Sequence, residues 1–573
     1  MNRKRAIRVA VVVALLLVAV WLVMRSPMGL DVEPGSTLVL ELSGDYVEGP
    51  EPPIFARILG ERRRPFVSLL STLSLAERDD RLAAVVLRIR ELGIGWGKAQ
   101  EIRDAIGRLR SAGRKTVAYL DMSVIGGGRE YYVATAADEI YLSPAAIVPV
   151  LGLAAEYMFL GGAWEKIGVV VEAERVGRYK TAVDSFTATE MSEAHREMAN
   201  SLLDSIDAQF VGGIAEGRGL EESAVRRAID SGPVLGSELL ASGLIDGIRH
   251  FEELDELAGP VVKGEDYAGV DPSDVGFEAD ANFALIYGSG SVVSGRGRTS
   301  RTGAPVFASQ TVSEAIESAA EDPDIAAIIL RIDSPGGSPL ASEEIWYASR
   351  KAKEAGKPLI ASFSDVAASG GYYAAMGCDA IVAPPGALTG SIGVFVLRPV
   401  LTGLFEKLGI GITGLTRGRH ADLLLSGELS PGARQRLRAI VTDTYDLFVT
   451  RVAEGRELPR ERVDALGQGR VWTGAQAADL GLVDELGGLH VAVDRAKREL
   501  GLDEDAEVLL LPFPKPRQLA DEIRDLLQGR ASLDLIRAIV LPDLVERLGS
   551  WSWVLELPTN TPLLVPPFLV DIR

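Results

Sequence analysis

Apolar residues fall along this chain in short dense runs separated by charged turns. LAAVVLRI (82–89) follows Asp79 and Asp80, and IAAIILRI (325–332) follows Asp324. Each run is nearly all aliphatic, the pattern of a strand buried on both faces. A segment with helical spacing comes next, containing AQEI (99–102) in one place and SEEI (342–345) in the other. A second strand pattern then appears, AGRKTVAYL (112–120) against AGKPLIASF (355–363). Leu87 and Leu330 stand 243 residues apart, as do Ile102 and Ile345. The matching continues at a spacing of 241: Tyr131-Tyr132 with Tyr372-Tyr373, ADEIYLSP with CDAIVAPP, and WEKIG with FEKLG. IAEGR and VAEGR match at 238. The chain is therefore written twice. Each copy reads strand, helix, strand, helix, strand, helix, which predicts an α/β fold with a parallel sheet layered by helices. The first repeat spans 35–260 and the second 281–500, joined by an acidic, Gly-bearing linker at 263–280. Residues 501–573 read as a C-terminal helical tail, with helices at 518–528 and 533–548 and a Pro- and Leu-rich end from Pro558. Packing on its own domain, covering a neighbouring subunit and touching lipid are all open to that tail.

The N-terminus adds a different element. Arg3, Lys4 and Arg5 precede an apolar run at 9–24 flanked by Arg8 and Arg25. A membrane span needs about 20 residues, and the flanking arginines can snorkel to the interfaces and lengthen this one. No small-x-small cleavage site follows. Residues 1–5 are therefore expected to be a cytoplasmic tip, 6–25 a single transmembrane anchor touching lipid, and the rest a body on the outer side. Composition narrows the chemistry. The chain is 47% hydrophobic and 24% charged, as globular proteins are. Its net charge of −20 argues against a nucleic-acid partner. The only cysteine, Cys378, allows no internal disulfide and reads as a small buried residue ahead of a strand. The four histidines, His195, His250, His420 and His490, have no metal-ligand spacing, so no metal is expected.

The candidate chemistry lies where the two copies differ. In DVAASGGYYAAMG the strand LIASF ends, a turn of small residues follows, and a helix starts near Gly370, which leaves Ser369 at a helix N-terminus. Backbone N–H groups there favour the negative charge of a tetrahedral intermediate, although a serine N-cap is also a common structural device. DSPGGS (333–338) follows the strand IAAIILRI directly, and its glycines let backbone donors approach a ligand closely. Two glycine turns at strand ends of one βαβ unit point to one crevice. Ser369 needs a base. Lys407 has its counterpart in Lys166 and reads as a surface lysine. In the motif VGRYKTAV, matched by RGRHADLL, Tyr179 aligns with His420 and Lys180 with Ala421. Opposite Ser369 the first copy has Gly126, Gly127 and Gly128. One copy thus has the lysine without the serine, and the other the serine without the lysine. The economical reading is a composite site of Ser369 and Lys180, with the backbone N–H groups of Gly370 and Gly337 as the oxyanion hole. Ser391, in LTGSIGV, occupies a small-residue strand end where the first copy has Val150, and could orient Lys180 or be a plain turn serine.

The strings IDSPGGS, AASGGYY, LTGSIGV, VGRYKTAVDSF and VWTGAQAADLGLVDELGG resemble the long, two-repeat form of the signal peptide peptidase A (protease IV) family. The resemblance covers nearly the whole chain, least clearly the tail. It implies a serine peptidase in which the serine of A-S-G-G-Y is the nucleophile and the lysine of G-x-Y-K the base, which map onto Ser369 and Lys180. It implies the Clp protease/crotonase superfamily with ββα repeat units, a spiral core and a bowl-like homotetramer. It further implies endoproteolysis of remnant signal peptides and other unfolded hydrophobic peptides at the outer (periplasmic) face of a bacterial inner membrane, without cofactor or ATP. Three other readings compete: a crotonase-like acyl-CoA enzyme, a catalytically silent membrane scaffold, and a Ser369–His420 pair, for which no aspartate partner can be named.

Overall fold

In the computed structural model, which describes residues 32–50, 64–297 and 305–515, each copy builds its own largely parallel sheet. In the first, strands β1 (Ser36–Val47), β2 (Leu82–Gly93), β3 (Lys115–Leu120) and β4 (Glu139–Leu142) lie side by side in chain order. Val85 and Leu87 face helices α1 (Phe66–Arg78), α2 (Trp96–Ser111) and α3 (Gly128–Ala134), while Val86, Val117 and Tyr119 pack on the other face against Leu254. Continuous aliphatic runs suit strands covered on both sides in this way.

Two further elements leave the first repeat and reach the second. Strand β5 (Val170–Val176) departs from its own sheet. Helix α4 (Glu193–Arg218), capped by the Ser192 hydroxyl, lays Met198 and Leu202 against Val471.

The second repeat contains β6 (Ala281–Ser289), α5 (Ser309–Glu321), β7 (Ala327–Ser334), α6 (Pro339–Glu354), β8 (Leu359–Ala368), α7 (Gly370–Ala374), β9 (Ala380–Ala383), β10 (Leu388–Gly390) and β11 (Val394–Val400). It continues through α8 (Pro431–Gly455), β12 (Val471–Thr473) and β13 (Val508–Phe513). The sheet runs β12-β10-β8-β7-β6-β13, with β9 also on β8. Strand β8 changes partner midway: Ile360, Ala361 and Ser362 pair with β9, whereas Val366, Ala367 and Ala368 pair with β10. Strand β11 pairs antiparallel with β5 of the first repeat, from Val394 opposite Val176 to Val400 opposite Val170. That ribbon joins the two copies.

The structure departs from the sequence reading in three places. VAA (366–368) is strand rather than turn, because its small residues pair with β10. Residues 263–280 are not a bare linker: Val261–Lys263 pairs with β1, and Tyr267 is buried in the first core with its hydroxyl 3.0 Å from Asp79 Oδ2. The span assigned to a helical tail from 501 begins instead with β13, whose apolar LLL run completes the edge of the second sheet on β6. The anchor at 6–25 and the helices at 518–528 and 533–548 lie outside the described residues. Among the described residues, no helix is long and apolar enough to cross a membrane.

Candidate active site

Strand β8 delivers Ser369 at its end with φ 54° and ψ −113°. A non-glycine residue held there stores about 1–3 kcal/mol of backbone strain. The surroundings hold it in place. Its N–H donates to the Gly390 carbonyl at 2.8 Å, and its own carbonyl accepts from Tyr373 N–H at 2.8 Å as α7 begins. The two tyrosines of GGYY anchor that short helix: Tyr372 Oη donates to the Leu482 carbonyl at 2.8 Å, and Tyr373 Oη to Glu343 Oε2 at 2.6 Å. Ser391 leaves β10 at φ 53°, with its N–H donating to the Arg470 carbonyl at 2.7 Å. Two of the few non-glycine residues with positive φ among the described residues are thus the two serines singled out by the sequence.

Lys180 arrives from the other repeat. The β5–β11 ribbon ends at Val176, and the turn that follows points the Lys180 side chain into the second repeat. Its Nζ lies 2.8 Å from Ser369 Oγ, 2.9 Å from the Ser391 carbonyl oxygen and 2.9 Å from Ser391 Oγ. All three residues are fully buried. Burial alone holds the Lys180 ammonium well below its ordinary pKa. A neutral amine has two N–H donors and one lone pair. The Ser391 carbonyl can only accept, and the Ser391 hydroxyl can accept the second N–H. The lone pair is then left facing the Ser369 hydroxyl.

The SPGG turn borders the same space. Gly336 has φ 101° and Gly337 φ 157°. Val292 pairs across them, its N–H donating to the Gly336 carbonyl and its carbonyl accepting from Ser338 N–H. That bridge leaves the Gly337 N–H out of the ladder. A Cβ at Gly337 would stand 2.2 Å from the Val292 oxygen, so only glycine fits. A Cβ at Gly370 would fall 2.9 Å from the Gly337 nitrogen, so these two backbone groups converge beside Ser369. His420 does not take part in this cluster; it lies against Gly432 at the start of α8. Cys378 is buried, and burial pushes its thiol well above the ordinary range.

Sequence reasoning missed a buried group of charges beneath these strand ends. Lys98 contacts Asp333 and Asp365, while Arg331 contacts Glu48 and Glu101. A signal was present: a lysine in the otherwise small and apolar WGKA, and an aspartate near each of the two strand ends that carry glycine turns. Nothing in either motif says that they meet across the repeats.

The family model for peptidase family S49 matches residues 108–259 and 351–503, one span in each repeat. The chain is 35% identical over 521 residues to the chloroplastic serine protease SPPA of Arabidopsis thaliana, covering 87% of this chain and 74% of that protein. It is 27% identical over 510 residues to Protease 4 of Salmonella typhi, covering 84% of this chain and 81% of the other. Among solved structures, a mutant of the 1510-N membrane-bound stomatin-specific protease overlaps 41% of this chain and 99% of its own, at 17% identity and a TM-score of 0.26.

Proposed function

The chain belongs to peptidase family S49 and is a serine peptidase, and from that premise we propose that Ser369 is its nucleophile and Lys180 its general base. The observation that carries the proposal is the 2.8 Å contact between Lys180 Nζ and Ser369 Oγ at a site where the lysine is fully buried. An ordinary lysine, with a pKa of about 10.4, is protonated at neutral pH and cannot accept a proton. Burial removes that obstacle. Lys180 takes the Ser369 proton as Oγ attacks the scissile carbonyl, and the developing oxyanion receives the N–H groups of Gly370 and Gly337. The resulting Lys180 ammonium gives its proton to the leaving amine. Water then cleaves the acyl-enzyme with Lys180 again as base. Ser391, accepting from Lys180 through both carbonyl and hydroxyl, fixes the direction of the lone pair.

We extend the proposal to substrate and place. The substrates are remnant signal peptides and other unfolded hydrophobic segments, cut by endoproteolysis. The sequence supports an anchor at 6–25, and Val32 is already buried in the core of the first repeat, so the residues between the two reach at most about 20 Å even if extended, which keeps the body close to the outer face of the membrane. In a bacterium that face is periplasmic. The family resemblance supports a homotetramer, and exposed Leu415 and Leu424, 85% and 86% accessible, are apolar surface that a neighbouring copy would cover.

The decisive experiment is kinetic. Lys180→Ala and Ser369→Ala should each abolish peptide cleavage, and the double variant should be little worse than either single one. A fluorophosphonate should label Ser369 and nothing else. Substantial cleavage by Lys180→Ala would remove the lysine from the mechanism.

A further inference from the structure

The first repeat contributes a second lysine close to the site. Lys98 stands in the first turn of α2, just past ELGIG (91–95), which occupies the place of SPGGS in the second repeat. Its Nζ lies 2.6 Å from Asp333 Oδ2 and 2.7 Å from Asp365 Oδ2. Asp365 also accepts the backbone N–H of Lys98 at 2.8 Å and of Gly95 at 2.9 Å. The approach is close enough that a Cβ at Gly97 would stand 2.4 Å from the Ser364 carbonyl oxygen. The Lys98 side chain is only 3% exposed.

The two carboxylates stand at informative positions. Asp333 lies at the end of β7, four residues before Gly337. Asp365 lies on β8, four residues before Ser369. Asp333 Oδ1 accepts Val366 N–H at 3.2 Å, so it too ties β7 to β8. This is the point at which β8 exchanges β9 for β10. Two half-buried carboxylates on adjacent strands repel, and a buried cation between them converts that repulsion into a bridge. Removing the cation leaves the two carboxylates facing each other without a partner.

We infer that Lys98 is a positioning residue: by bridging Asp333 and Asp365 it sets the spacing between the strand end that carries Ser369 and the strand end that carries Gly337. This rests on the reading of Ser369 as nucleophile with Gly337 and Gly370 as oxyanion donors. The start of α2, just past the first repeat's counterpart of the SPGGS turn, thus braces the working turn of the second. Lys180 and Lys98 both come from the first repeat: one supplies the base, and the other holds the geometry.

The test is Lys98→Met, which keeps the length and removes the charge, and separately Asp365→Asn. For each, kcat and KM on a peptide, the inhibition constant of a peptide boronate, and the folded fraction from circular dichroism melts are measured on the full chain. Displacing catalytic groups by about 1 Å costs on the order of 100-fold in rate. Lys98→Met should therefore lower kcat per folded molecule by about 100-fold and weaken boronate inhibition by a similar factor, with KM changed by about threefold or less. Asp365→Asn should shift the same two constants in the same direction. A brace with no part in positioning would lower only the melting temperature, and unchanged kcat per folded molecule would overturn the inference. If Lys98→Met does not fold, Asp365→Asn decides by the same criterion. Lys180→Ala run alongside separates the two failures. Activity there defeats the dyad itself, whereas an inactive Lys180→Ala beside a fully active Lys98→Met defeats only the brace.

Discussion

Lys180 is where the energetics of single residues are most exposed. A buried lysine with a depressed pKa binds fewer protons in the folded state than in the unfolded one across the window between its folded pKa and about 10.4. Stability contributed by this residue therefore rises with pH through that window and is lost as pH falls toward the folded value. Lys180→Met has no such dependence. The difference in melting temperature between wild type and Lys180→Met should move steadily in favour of wild type from pH 7 to pH 10; a constant difference would show that Lys180 is charged in the folded protein. Activity follows from the same sign. The ratio kcat/KM should fall on acidification as Lys180 takes up a proton, and Ser369 labelling by fluorophosphonate should fall along the same curve. Ser391 is tested more gently. Its hydroxyl is one of two acceptors for Lys180, and the carbonyl remains in Ser391→Ala. Loss of one such hydrogen bond is worth about 1 kcal/mol, so a loss of about fivefold in kcat with KM unchanged is expected. Full activity would leave Ser391 a turn serine.

At the scale of elements, the β5–β11 ribbon and the SPGG turn do separate work. The ribbon is short and its strands come from different repeats, yet it alone leads to Lys180. Its acidic side chains are gripped by the second repeat: Arg434 and Arg438 of α8 and Arg398 of β11 contact Glu172 and Glu174 of β5. Most of those arginines are partly exposed, so each pair contributes little by itself, and the ladder carries the register. Proline at Ala173, opposite Leu397 at the middle of the ribbon, fixes φ well away from the antiparallel value and should abolish cleavage while the main sheets keep their circular dichroism signal. Retained cleavage would mean that Lys180 reaches Ser369 without the ribbon. The SPGG turn is tested at Gly337. An added methyl meets the Val292 carbonyl oxygen, so Gly337→Ala must displace the N–H from the oxyanion. A rate loss of about 100- to 1000-fold is expected, the value of one such donor, and an adduct of a peptide aldehyde should place its oxygen within hydrogen-bond reach of both Gly337 and Gly370 in the wild type.

For the whole molecule, the two repeats share one site and so must keep a fixed relation. Buried charges cross between them. Arg331 is fully buried and satisfied by Glu48, Glu101, the Ser362 hydroxyl and the Phe363 carbonyl, and such groups cost desolvation that apolar residues would not. Removing one partner would leave a buried charge uncompensated. A composite site between two domains also bears on substrate choice. On the proposed function a peptide enters it extended, so the protein lacking residues 1–25 should cut a synthetic signal peptide and spare a folded globular protein, with chelator present in both reactions. Efficient cleavage of the folded protein, or loss of peptide cleavage with chelator, would contradict the proposed function.

Much was legible in the order of residues because repetition supplies its own control. Strand runs at Val85 and Ile328, matched 243 residues apart and followed by further matches at 241 and 238, showed two α/β units, and the mirror-image absence of serine in one and lysine in the other pointed to a shared site. Ser369, Ser391, Gly370 and Gly337 could be named from local motifs, since each sits on a strand end or turn whose small residues mark close backbone approach, whereas Lys180 was named by comparing the two copies and by the family motif it stands in. What local motifs could not show is contact across the repeats. Strand β8 exchanging partners at Asp365, β5 leaving its own sheet to pair with β11, Tyr267 turning a linker into core and β13 closing an edge all depend on which surfaces meet. Lys98 illustrates the limit. Its acidic neighbour in the chain, Glu101, contacts Arg331 instead, and the carboxylates that hold it lie more than two hundred residues away. Periodicity and turn chemistry are properties of neighbours along the chain, so the sequence by itself determined the elements and the residues that could react. The partners of a buried charge are neighbours only in space, and the tertiary structure alone decided them.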